Sequence, residues 1–389
     1  MKSLFHLAAV AAFSLLGLGA HAQTLSYLGQ QIVPTGTPFQ GAAVGGLSSL
    51  DYNPATGRYL AISDDRSEVA PARFYELALD LSQFRRTATP GSDGVRFVAM
   101  TTIQDLDGRP FGRNRVDPEG LRLDARRQLI YWCNEGQRKN GDFQAPTVRR
   151  MKPDGAPAGA FPVPSHYLPA GSVGGIAAGD MGVYNNLAFE SIALTPDGKT
   201  LWTITENALA QDDLPTAVNR PSRARMLSFD LDTGAAGAEY VYEVGPVVFA
   251  PAKAGDFATN GVADLLALSD HQFIAIERSF AVGAATPGHA ALTGRPTSNT
   301  IRLFLIDTTG ATNVAGWPTL KGRDVVLARR QLLLDLSTLK NDDGTPLAVD
   351  NIEGITFGPT VNGKRTLVLV SDNNFNPEQF TQFVALTLD

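Results

Sequence analysis

A short phrase recurs along this 389-residue chain, and in three of its copies a glutamate opens an apolar run. These copies are Asp117-Pro118-Glu119-Gly120-Leu121, Phe189-Glu190-Ser191-Ile192-Ala193 and Asn351-Ile352-Glu353-Gly354-Ile355. Weaker copies open at Ser48 and Asp264, so the five openings lie 71, 71, 74 and 89 residues apart. Self-similarity on that scale constrains the fold more than any local propensity. Each unit must bury its apolar faces against copies of itself.

Inside a unit the pattern is that of strands. Ile192-Ala193-Leu194-Thr195 runs into the turn Pro196-Asp197-Gly198-Lys199 and out through Thr200-Leu201-Trp202-Thr203-Ile204-Thr205, a hairpin signature. A third apolar run follows a variable loop at 73–80, 225–231, 301–307 and 382–388, and outer strands fit 95–100 and 331–336. Four antiparallel strands per unit, repeated radially, predict an all-β protein, a β-propeller of four-stranded blades. Five repeats are readable, and the long stretch 281–350 leaves room for a sixth blade. The last unit ends at its third strand. The run Leu25–Val33 is expected to supply the missing outer strand, so that the N-terminus closes the ring and leaves no long edge exposed.

The same repeat places carboxylates. The first strand of a blade starts on the face to which the second returns, so residues opening one and closing the other share a rim. Ser48 to Asp64, Glu119 to Glu135 and Glu190 to Glu206 are each 16 residues apart, and Asp264 to Glu277 and Glu353 to Asp372 follow their own turn lengths. These acids are expected to converge on one mouth of the central channel. There they repel one another unless a cation, protonation or basic neighbours neutralise them. Arg66, Arg138, Lys139 and Arg278 each follow the acidic end of a hairpin. A hard cation such as Ca²⁺ suits the oxygen-rich set Asp64, Glu135, Glu206, Asn207, Asp264, Glu277, Asp372 and Asn373. The alternative for each residue is a cap on a turn or a pair with the next blade.

Composition narrows the class. Lys2, the apolar run 4–18 and Ala20-His21-Ala22 read as a signal peptide over 1–22, leaving 23–389 as one domain that is secreted or periplasmic. Nothing later is long enough to span a membrane. One cysteine, Cys133, excludes an internal disulfide and is read as a buried, inert thiol. A net charge of −6 argues against nucleic acid as the partner. Only His166, His271 and His289 follow the leader, and all three are read as surface loop residues. No Gly-x-Ser-x-Gly elbow follows a strand, so a triad hydrolase using Ser48, Ser49 or Ser191 is disfavoured.

The Asp-Pro-Glu-Gly-Leu at 117–121, Phe189-Glu190-Ser191-Ile192-Ala193, and Asn351-Ile352-Glu353-Gly354 followed by Ser371-Asp372-Asn373-Asn374 resemble the phytase-like domain, whose members are described as esterase-like activity of phytase proteins. The resemblance spans about residues 40–388. It implies a secreted β-propeller hydrolysing a small phosphate ester or another ester. On that reading Ca²⁺ orients water, one of Glu119, Glu190 or Glu353 is the general base, and Arg138, Lys139 and Arg278 hold the phosphate. The protein is expected to be a monomer. The other reading is a non-catalytic propeller of the cell envelope that binds a ligand or partner at the same mouth.

Overall fold

The computed structural model describes residues 24–288 and 294–388. The leader expected over 1–22 and His289 lie outside the described residues. Five four-stranded antiparallel sheets follow one another along the chain. Blade 1 contains Leu47–Asn53, Arg58–Ser63, Arg73–Leu79 and Val95–Thr102; blade 2 contains Pro118–Asp124, Leu129–Asn134, Thr147–Met151 and Pro157–Ala160. Blade 3 contains Ala193–Leu194, Thr200–Ala208, Ser222–Asp230 and Ala236–Val244; blade 4 contains Ala258–Ala267, Gln272–Ala281, Asn299–Asp307 and Arg329–Asp335. Blade 5 contains Asn351–Val361, Lys364–Asp372 and Thr381–Leu388. Its fourth strand is Leu25–Val33, paired with Thr381–Leu388 from Leu25↔Leu388 to Val33↔Thr381. The N-terminal closure expected from the sequence is therefore present. The stretch 281–350 holds the two outer strands of blade 4, and a sixth blade is absent among the described residues.

The innermost strands of successive blades pack side by side, and that of blade 5 returns to blade 1. Because each blade is covered on both faces, its strands read as nearly continuous apolar runs rather than clean alternation. Alternate residues then serve opposite seams. In blade 3, Ile192 and Leu201 pack toward blade 2, whereas Ala193 and Trp202 pack toward blade 4. The five main apolar clusters correspond one to one with the five seams of the ring. Cys133 sits in the seam between blades 2 and 3, where its thiol takes a hydrogen bond from the Gly120 amide and donates to the Phe189 carbonyl. Burial pushes this thiol up, as befits an inert one.

Each innermost strand carries one extra residue near its start. In blade 1, Leu47 and Ser49 face Ser63 and Ile62, leaving Ser48 over. In blade 4, Val262 and Asp264 face Glu277 and Ile276, leaving Ala263. In blade 5, Ile352 and Gly354 face Ser371 and Val370, leaving Glu353. Blade 2 has three steps from Pro118 to Leu121 against two from Asn134 to Trp132, and blade 3 has four from Phe189 to Ala193 against three from Thr205 to Trp202. Such bulges re-aim side chains. Here they turn Ser48, Glu119, Glu190, Ala263 and Glu353 out at equivalent points. The glycine after the glutamate has its own reason: a Cβ on Gly120 would lie 2.5 Å from the Ile192 amide nitrogen of blade 3.

Candidate functional site

The bulge residue and a residue at or near the end of the second strand lie together in every blade. The pairs are Ser48 with Asp64, Glu119 with Glu135, Glu190 with Glu206, Ala263 with Arg278, and Glu353 with Asp372. Blade 4 therefore departs from the rest, presenting a small residue and a cation where its neighbours present acids. Gly261 completes the arrangement, since a Cβ there would lie 2.1 Å from Glu206 Cγ.

These residues open into a cavity of about 780 Å³ lined by Asp64, Asp117, Glu119, Glu190, Glu353 and Asp372, with Arg66 and Arg278 as its buried-side cations. Two carboxylate triads, Asp117/Glu119/Glu135 and Glu135/Glu190/Glu206, join lining residues of this cavity to the more deeply buried Glu135 and Glu206, and in each the ligand oxygens lie within 4.8 Å of one another. All five residues are buried. Arg66 is ion-paired with Asp117 and lies 3.8 Å from Glu135 Oε2. Arg278 bridges blades, 3.3 Å from Glu206 Oε1 and 3.4 Å from Glu353 Oε1. Ser48 Oγ donates to Glu119, and Asn351 Nδ2 donates to Glu353 at 2.9 Å and to Asp372 at 3.3 Å. Glu190 is 4 % exposed, and its carboxylate has no hydrogen-bond or ion-pair partner among the described residues. Glu206 Oε2 is buried without a hydrogen-bond partner as well.

The electrostatic consequence is strong. Burial, then the like charges of Glu119, Glu135 and Glu206, hold the Glu190 carboxyl well above the usual range. Burial, then Asp117 and Asp64, do the same to Glu119; burial, then Asp64 and Glu353, do it to Asp372. Burial raises Glu206 to about 8 although Arg278 opposes the shift. Carboxyls so crowded ionise together only when a cation joins them. The donor set is wholly oxygen and the unpartnered oxygens face inward, so these buried acidic groups fit a hard divalent cation.

Not every residue singled out in the sequence reaches this mouth. Asp64, Glu119, Glu135, Glu190, Glu206, Arg278, Glu353 and Asp372 are brought together there. Asp264 and Glu277 are not, because a one-residue offset across the bulge turns a side chain to the other face. Asp264 points into the channel, where Arg122 Nη2 meets both its oxygens at 3.0 Å and also reaches the carbonyls of Leu265 and Ile355. Arg122 Nη1 holds Ser49 Oγ and the carbonyls of Leu50 and Leu121, so this pair stitches four blades together. Glu277 lies in the seam between blades 3 and 4, held by Tyr242, Asn260 and Arg330. Asn207 and Asn373 spend their amides on turns: Asn207 on Asn260 and Thr216, Asn373 on Gly46, Phe375 and Thr35. Arg138 is buried in a cage of the Ala170, Ser172, Met181 and Val183 carbonyls, and Lys139 is exposed on a small hairpin.

Two further findings were not expected. Asp117 and Asp350 also line the cavity; Asp117 carried a signal, standing two residues before Glu119 in the recurring phrase. His166, expected at the surface, is buried with Nε2 3.0 Å from Glu239 Oε1, an oxygen that Tyr167 and Arg225 share. His271 lies in an exposed turn, and no histidine lines the cavity among the described residues. Ser191 Oγ is buried without a partner.

Comparison with known proteins agrees with the motifs. Residues 42–375 match the Phytase-like family, esterase-like activity of phytase. The chain belongs to that family. No curated protein matches this phytase-like chain. Solved structures similar to it include hydrazine synthase of Kuenenia stuttgartiensis, at 13% identity and TM-score 0.36 over 86% of this chain and 80% of that one. A putative oxidoreductase (glucose dehydrogenase) of Thermus thermophilus gives 11% and 0.37 over 92% and 99%. The Dos1 propeller gives 6% and 0.34 over 88% and 68%. Among the described residues no helix is long and apolar enough to cross a membrane.

Proposed function

We propose that this phytase-like propeller is a divalent-cation-dependent hydrolase of small phosphoric esters, with Ca²⁺ as the cation and the acidic mouth as its active site. The observation that carries the reading is Glu190. It is a carboxylate almost removed from water, without a partner, in a triad with Glu206 and with Glu135, the residue that the two triads share. A buried acid left in that state is costly unless a cation completes it.

In this proposal Glu135, Glu190 and Glu206 hold the cation. When bound, it polarises a phosphoryl oxygen and lowers the pKa of a water. The remaining work falls to the chain. Arg278, fixed between Glu206 and Glu353, and Arg66 on the cavity wall take the phosphate oxygens by charge-assisted hydrogen bonds. Glu119, held in place by Ser48 and pushed up by burial and by Asp117 and Asp64, accepts the proton of the attacking water. Glu353 and Asp372 are oriented by Asn351 and border the site opposite. The cavity suits a small molecule rather than a polymer.

The leader-like sequence at 1–22 supports an exported protein, and we propose that it acts as a monomer. The test is hydrolysis of phytate and p-nitrophenyl phosphate by purified protein with Ca²⁺ and with chelator. Turnover that needs Ca²⁺ and falls about 10²- to 10⁴-fold in E119Q is expected. Turnover indifferent to chelation would sink the proposal, and cation binding without turnover on any ester would leave a binding propeller in its place.

A further inference from the structure

The two triads share Glu135 but are not equivalent. In Glu135/Glu190/Glu206 the Arg278 guanidinium meets a single oxygen, Glu206 Oε1, and apart from the shared Glu135, which takes the Ala188 amide and lies 3.8 Å from Arg66, no other cation reaches the triad. Glu190 is left unpartnered and Glu206 Oε2 takes no hydrogen bond. Asp117/Glu119/Glu135 is different: a cation of the chain already stands in it. Arg66 is ion-paired with Asp117 and lies 3.8 Å from Glu135. It therefore meets two of the three members of that triad directly, one of them the shared Glu135.

We infer that Arg66 is a built-in stand-in for a second divalent cation. The protein then holds one ion, at Glu135/Glu190/Glu206, while the geometry of the mouth provides for two bridged by Glu135. A guanidinium and a divalent ion cannot share the same three carboxylates, because like charges in a poorly screened site repel strongly. The two arginines of the ring differ in the way this assignment needs. Arg278 lies within a central strand of blade 4, opposite Gly261, and is fixed by register. Arg66 lies beyond the end of its strand, its side chain is 21% exposed, and it leans on Asn186 of the loop before blade 3 at 2.8 Å. Asp117 Oδ2, the oxygen it pairs with, is buried and has no hydrogen-bond donor besides, so a ligand oxygen stands ready there once the arginine is gone. A guanidinium here also lowers the ion requirement of a fold whose acids outnumber its bases at the mouth.

This inference rests on the cation reading above, and one experiment separates the two. Chelator-stripped wild-type protein and the variants Arg66→Gln and Arg66→Lys are titrated with Ca²⁺ by calorimetry, with bound ions counted by native mass spectrometry. One ion is expected in the wild type and in R66K, and two in R66Q. A wild type that binds two ions overturns the assignment of Arg66 without recourse to any variant. One ion in both wild type and a folded R66Q overturns it too, while leaving the cation site intact. A wild type that binds none refutes the cation reading itself, and the role of Arg66 falls with it.

Discussion

Replacing Glu190 by glutamine should stabilise the cation-free protein, contrary to the usual effect of altering a buried polar side chain. The ligand oxygens of Glu135, Glu190 and Glu206 lie within 4.8 Å of one another. At an effective dielectric near 20, two unit charges at that distance repel by about 3.5 kcal/mol. Glu190 faces two such neighbours in its triad, so folding at pH 8 must either charge it against them or hold it protonated above its usual range, and glutamine escapes both costs. Glu206, raised to about 8, is partly protonated near that pH and so relieves part of the repulsion. A net gain of about 2–4 kcal/mol at pH 8 is therefore expected for E190Q. The new amide does not offset it, since its N–H groups find carboxylate acceptors on every side rather than remaining unsatisfied. The assay is urea unfolding at pH 8 in chelator, repeated in Ca²⁺. The wild type should be the less stable protein in chelator and should gain in Ca²⁺, by about 2.7 kcal/mol at a hundredfold excess over Kd, while E190Q should gain little. An E190Q protein less stable than wild type in chelator would refute the account of Glu190 as an uncompensated acid.

The same electrostatics fix a pH dependence. The Glu206 carboxyl moves from an unfolded 4.5 to about 8, so its contribution is fully present below about 4.5 and is lost as pH rises through 8. In chelator the urea midpoint should fall across that window, and Ca²⁺ binding should release protons, read as a dependence of the calorimetric heat on buffer ionisation enthalpy; a midpoint that climbs with pH would contradict this. Arg122→Met should cost about 3–5 kcal/mol by leaving Asp264 buried and unpaired, and R122M/D264L should recover most of it. A single variant as stable as wild type would show that the pair does not hold the blades.

Much of this architecture was legible because apolar runs and turns repeat, and a repeat needs no distant information. The hairpin at 192–205 could be read from its Pro-Asp-Gly turn, and the Leu25–Val33 closure from a missing strand. The site was legible only in part, for a physical reason. A bulge inserts one residue into a strand whose faces alternate every residue, so the repeat pattern at blade 4 points to Asp264 and Glu277 where the ring uses Ala263 and Arg278. Nothing local marks that offset. Arg138 was misplaced for a related reason: its partners are carbonyls 32 to 45 residues further on, and carbonyls leave no trace in a sequence. The burial of His166 depends on Glu239, a partner 73 residues away.

The closure by Leu25–Val33 bears on when the mouth can exist. Leu25 pairs with Leu388, so the strand made first waits for the strand made last, and that loop is the costliest in the chain to close. Contacts of such long range form slowly. Glu353 and Asp372 belong to the blade completed by this step, whereas the two triads come wholly from blades 2 and 3. A nascent chain thus carries a cluster of acids able to recruit an ion well before it has a ring to enclose one. On the proposed cation reading, ion capture need not wait for ring closure, and it would draw two neighbouring blades into register first.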